Sequence, residues 1–191
     1  MRRHVILSAV LVCFGLSSSA CSSDPAVEYE GVTPAEFVQV ACSDWLDYHE
    51  LEETNRDLPL ALAGTGEEQR AEALAAGQAQ LDRLSAARDA ISESTPAVAD
   101  GADVIAPFVS YYDGRLAVAE PRLEEFTTFP TELSGHDDQV QIEAIDLFQD
   151  MSRHGEGAPT NYPFTEVEDE EIIEAYADES SCATLVTVTR Y

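Results

Sequence analysis

The chain has 191 residues, of which 37 are Asp or Glu and 10 are Arg; there is no Lys, and the formal charge is −27 at pH 7. Nucleic acid is excluded as a partner, because affinity for phosphates comes from clustered cations, and a chain without Lys has no Gly-x-x-x-x-Gly-Lys phosphate loop. The charge leaves cations, basic peptides and neutral ligands as partners, and its plainest role is a solvated surface that keeps the domain in solution.

The first twenty residues fall into three parts. Met1-Arg2-Arg3-His4 is basic, Val5 to Leu16 is an apolar run, and Ser17 to Ala20 are small. That order predicts a secretory signal peptide over 1–20. The apolar run falls short of the ~20 residues that span a bilayer. Directly behind it, Ser19-Ala20-Cys21 resembles the lipobox of bacterial lipoproteins, and Ser22-Ser23-Asp24 resembles their polar tether. Ser18 departs from that family, which most often has Leu there; here the Leu lies further back, at Leu16. The resemblance implies cleavage before Cys21, a lipid on Cys21, and anchoring to the cell membrane on its extracytoplasmic face. It divides the chain into a signal peptide (1–20), a lipidated tether (21–32) and a helical domain (33–191). Without residues 1–20 the chain keeps 8 Arg against 37 acids, a formal charge of −29. A tether from Cys21 to Thr33 lets the domain stand at most ~40 Å from its anchor.

Four cysteines remain to be placed. Cys13 leaves with the signal, and Cys21 carries the lipid. Cys42 and Cys182 are then an even pair in an exported chain, which predicts a disulfide. The alternative is two buried free thiols. On the chain-entropy model the bond contributes up to ~5 kcal/mol.

Helix starts are legible in the domain. Thr33-Pro34-Ala35-Glu36 places a capping Thr, a Pro at the first helical position and a Glu three residues after the cap. Thr65–Glu68 and Thr165–Glu168 repeat the Thr-x-x-Glu pattern; Ser134 with Asp137, and Thr95-Pro96, are two further starts. Periodicity predicts a first helix to about Asp57, with Val38, Ala41, Trp45 and Tyr48 on its apolar stripe. A second runs from about Gly66 to Ser92 with Leu74, Gly77, Leu81, Leu84 and Ile91. The third carries a seam of Val98, Ala102, Ile105, Val109, Tyr112, Leu116, Ala119, Leu123 and Phe126, and Pro107 and Pro121 within it are expected to kink or divide it. A fourth spans about His136 to Arg153 on Val140, Ala144, Leu147 and Met151. Arg153–Phe164 reads as a loop, and Glu166–Tyr176 as a short acidic helix. The tail from Cys182 fits either a strand, through Val186 and Val188, or a last helical turn capped by Ser181. The fold expected is all-α, an antiparallel four- to five-helix bundle, its C-terminal segment tied to the first helix by Cys42–Cys182.

One group stands out for chemistry. In "WLDYHELEE", Trp45 to Glu53, a helix places His49 and Glu52 one turn apart, an imidazole and a carboxylate able to supply two ligands to a divalent metal. The stretch resembles the Gly-x-His-x-x-Glu motif of imelysin-like, iron-associated exported proteins at His49 and Glu52, with Asp47 where that family has Gly. Beside this stands the plain reading of a His at the core edge next to a solvated acidic face. Glu143, Asp146, Asp150 and His154 form a second ridge, opposite the apolar stripe of the fourth helix, and read as solvated. Trp45, Tyr111 and Tyr112 read as core. The histidines beyond the signal, His49, His136 and His154, lie in no nucleophile turn. The expectation is a lipid-anchored, non-enzymatic binding module without a cofactor, taking a basic or neutral ligand or protein; the alternative is a metal-binding accessory protein using His49 and Glu52.

Overall fold

The computed structural model describes residues 28–131, 139–152 and 162–183. Cys21, Ser134, Asp137, His136, His154 and the tail beyond Ala183 lie outside them. The described chain is all-helical: α1 (Pro34–Ala61), α2 (Gly66–Glu93), α3 (Gly101–Thr127), α4 (Gln139–Met151), a 3-10 turn (Pro163–Glu166) and α5 (Glu170–Asp178). No helix among the described residues is long and apolar enough to cross a membrane.

The two long N-terminal helices begin as their sequences dictate. The Thr33 N–H donates to Glu36 Oε2 at 2.9 Å while the Glu36 N–H donates to Thr33 Oγ1 at 3.2 Å. Thr65 and Glu68 repeat the exchange at 2.8 and 3.3 Å. Both boxes satisfy amides that a helix start leaves open. α1 runs past the expected end at Asp57, through Pro59 to Ala61. Pro59 lies in the last turn with its ring buried, so the missing N–H costs one bond where the helix is about to stop.

Two expected starts are not used. Thr95-Pro96 opens no helix, because its backbone is spent on the incoming chain. The Val32 N–H donates to the Thr95 carbonyl at 2.9 Å, and the Ala97 N–H donates to the Val32 carbonyl at 2.7 Å. This bridge pins the chain to the α2–α3 turn, and Gly31 permits it: its φ is +147°, and a Cβ there would overlap the Thr95 carbonyl. Thr165 caps nothing either. The turn that starts at Pro163 takes up Thr165 and Glu166, and Asp169 caps α5 instead, accepting from the Glu171 and Ile172 N–H groups at 3.0 and 3.1 Å.

Pro107 and Pro121 do not divide α3, which is one helix from Gly101 to Thr127. Each removes a single backbone bond, and the buried residues Phe108, Ala119 and Leu123 hold the helix in place around them.

Around the bundle α1 adjoins α2 and α4, and α3 adjoins α2 and α4, so α1 and α3 stand on its diagonal. The core is filled by Phe37, Trp45 and Tyr48 from α1, Leu84 and Ile91 from α2, Phe108, Tyr112 and Phe126 from α3, and Leu147 and Met151 from α4. Gly77 lets α3 close on α2, since a Cβ there would come 2.7 Å from Leu123 Cδ1. α4 starts beside the α1–α2 turn, where Gln141 Nε2 donates to the Leu62 carbonyl at 2.8 Å. The 3-10 turn packs on α3 and α5 on α1. Cys42 and Cys182 form the expected disulfide, with Cα atoms 5.3 Å apart.

Candidate functional site

The structure brings His49 and Glu52 together, but around a cation supplied by the protein. Arg115 of α3 crosses the bundle's diagonal to α1. Its Nη1 donates to Tyr48 Oη at 2.7 Å and to Glu52 Oε1 at 3.3 Å. The guanidinium lies 5.1 Å from the centre of the Tyr48 ring and 5.0 Å from that of Tyr111, a cation between two aromatic faces. From α2, Gln80 Nε2 donates to Tyr48 Oη at 3.3 Å; from α1, Asn55 Nδ2 donates to Gln80 Oε1 at 3.0 Å and to the Ala76 carbonyl at 3.2 Å. Trp45 Nε1 donates to Tyr111 Oη at 3.3 Å. Glu52, Asn55, Gln80 and Arg115 are all buried, so one polar network joins three helices inside the core.

Burial sets the electrostatics of this network. It pushes the Tyr48 phenol up to about 12, although Arg115 pulls it down, and it raises Tyr111 for the same reason. Burial also works against the Arg115 charge, but Tyr111, Tyr48 and Glu52 outweigh it and hold the pKa above its ordinary value. The phenols stay neutral and the guanidinium stays charged. Such a network fixes the geometry of three helices.

His49 stands at its rim. Its ring stacks on Trp45 with centroids 4.8 Å apart. Nδ1 is 3.6 Å from Glu52 Oε2, Nε2 is 3.5 Å from Glu53 Oε1, and the side chain is 18% exposed. The two ring nitrogens thus face different carboxylates across the ring. A metal ion at Nδ1 would compete with Arg115 for Glu52, in contact range of a fixed positive charge. Among the described residues no three His, Cys, Asp or Glu side chains converge to hold a metal. The donor set does not fit the iron-associated motif that His49 and Glu52 resemble.

The ridge on α4 is also less solvated than its spacing predicts. Glu143 and Asp150 are half-buried because Arg122 of α3 lies over them, Nη2 to Glu143 at 3.4 Å and Nε to Asp150 at 2.8 Å; Asp146 is exposed. Arg83 of α2 likewise reaches α1 at Asp44 (2.8 Å) and Asp47 (2.7 Å), and Arg88 joins α2 to Asp113 of α3 at 3.0 Å. Burial raises Asp44, with Arg83 opposing it. These arginines are inter-helix ties, and the surplus carboxylates remain on the outside.

One acid-lined groove of about 410 Å³ lies between the start of α3 and the 3-10 turn–α5 connection, with Asp100, Asp103, Glu166, Glu168 and Asp169 around Val104 and Pro107. Asp100 follows the Val32–Pro96 bridge closely, so the groove shares an end of the bundle with the residues that lead into α1. Comparison with family models, curated proteins and solved structures finds no match for the chain.

Sequence spacing contained a signal for Arg115 that charge obscures. It lies three residues after Tyr112 and four before Ala119, inside the buried stripe, whereas Leu116, taken for the seam, is only half-buried.

Proposed function

We propose that this protein is a lipid-anchored, extracytoplasmic helical module that binds a partner at the cell surface and carries out no catalysis. The observation that supports it best is the disulfide. Bonds of this kind persist in oxidising compartments and are rare where thiols are kept reduced, and pairing Cys42 with Cys182 leaves Cys21 as the one cysteine behind the apolar leader. A partner of basic or neutral character suits a surface with this excess of carboxylates; the acid-lined groove beside the tether is consistent with the basic choice. The buried network around Arg115 favours a rigid body over a reacting site, since Tyr48, Glu52, Asn55, Gln80 and Arg115 hydrogen-bond to one another across three helices.

The test is the mass of the protein isolated from the cell envelope. A form beginning at Cys21, heavier than its sequence by a glyceride and acyl chains, and converted to a released, unmodified form by Cys21→Ser, is the expected result. An envelope form with an unmodified Cys21 removes the anchoring.

A further inference from the structure

The bundle's fourth wall is made in two pieces. α4 has 13 residues where α1 has 28, so at 1.5 Å per residue it provides about 20 Å of cover along about 42 Å. It occupies the half near the α1–α2 turn. Along the other half, the gap between α1 and α3 is closed by residues 162–183. The Tyr162 hydroxyl donates to the Ala41 carbonyl at 2.6 Å, and its ring lies 5.5 Å from Trp45 and 5.3 Å from Tyr111. Phe164 stands 5.0 Å from Phe108, and Ile172 is fully buried. The rest of the piece is lightly held. Of its twenty-two residues only Tyr162, Pro163, Ile172 and Cys182 are buried, against the backbone entropy of ordering the whole length. A covalent tie from Cys182 to Cys42 adds to these contacts.

We propose that residues 162–183 form a redox latch: oxidation of Cys42 and Cys182 docks them as the missing half of the fourth wall, and the dithiol chain keeps α1–α4 folded while uncovering the aromatic seam of Trp45, Phe108 and Tyr111. In the closing step the two thiols lose two protons and two electrons to the disulfide of a thiol–disulfide exchange partner, which leaves as a dithiol. Once closed, the latch hides its own bond. Cys42 is 0% and Cys182 1% exposed, so a reductant reaches the sulfurs only after the piece has lifted. Closure is therefore one-way under native conditions. The timing rests on the export reading above, with the seam open until the chain meets an oxidising compartment; the latch itself does not.

Trp45 is the chain's one tryptophan and lies under Tyr162, so it reports the event directly. The oxidised chain from Cys21 onward is compared with the double variant Cys42→Ser/Cys182→Ser and with wild type reduced by a phosphine in denaturant and refolded as the dithiol. The expected result is retention of most helical circular dichroism, a red shift of Trp45 emission with easier acrylamide quenching, and amide exchange across Ile172–Asp178 faster by about 100-fold, the effect of an ordinary crosslink on a local opening. Unchanged emission and exchange mean that the piece docks without its bond, and overturn the latch. So does a rise in exchange that is equal in α2, α3 and α5, because the disulfide would then hold the whole bundle. A chain found reduced in cells, or without lipid at Cys21, removes the export reading and leaves these measurements to decide the latch.

Discussion

Arg115 and Glu52, 63 positions apart, meet at 3.3 Å across the bundle's diagonal, where α1 and α3 reach each other through side chains alone. The pair is buried, and a buried charge that loses its partner is far more costly than the pair's own net worth. Arg115→Met alone, which leaves the Glu52 carboxylate buried without its guanidinium, should destabilise the protein by about 3–5 kcal/mol. The double variant Arg115→Met/Glu52→Leu should recover most of that loss. Urea unfolding of the two singles and the double, read as a cycle, measures the coupling. Additive losses would show that the two charges are stabilised independently.

The same geometry bears on metals. Titration of the domain with iron, copper, zinc and calcium should give no binding that depends on His49, because Glu52 is already held by Arg115. A micromolar site that disappears in His49→Ala would restore the metal-accessory reading.

Gly31 fixes the entry to α1 against the α2–α3 turn. Its φ of +147° and the closeness of the Thr95 carbonyl to any Cβ predict that Gly31→Ala costs about 1–3 kcal/mol, the usual range for a residue forced into a glycine-only conformation. The amides of Val32 and Ala97, which make the bridge, should lose exchange protection first. Equal protection in variant and wild type would show that the bridge is not maintained by the glycine.

Stability should fall with acid below about pH 4.5, for a reason found at the helix starts. The backbone and side chain of Thr33 hold the Glu36 carboxyl below its usual range, and Thr65 does the same to Glu68. A carboxyl with a depressed folded pKa adds stability above its unfolded pKa and loses it as pH falls through the folded one. Asp44, raised by burial, acts in the opposite sense. Glu36→Gln/Glu68→Gln should therefore flatten the acid limb of a melting-temperature profile, and a limb as steep as wild type would place its origin elsewhere.

What the sequence determined by itself is local. A Thr and a Glu three residues apart can satisfy each other with no help from distant residues, so Thr33–Glu36 and Thr65–Glu68 announced α1 and α2. The stripes of Val38, Ala41, Trp45 and Tyr48, and of Val140, Ala144, Leu147 and Met151, are all buried as their spacing required. The disulfide followed from counting thiols. Where two local signals competed, tertiary context chose: Thr165 and Asp169 are both capping residues, and the turn beginning at Pro163 left only Asp169 free to act. Thr95-Pro96 likewise lost its helix start to Val32, more than sixty positions away. Only the folded bundle decided that Arg115 points inward, that Gln80 and Asn55 are buried with it, and that residues 162–183 complete a wall α4 leaves half built. A charge or an amide is admitted to a core only when its partners arrive from other helices, and those partners are fixed by packing rather than by neighbours in the chain.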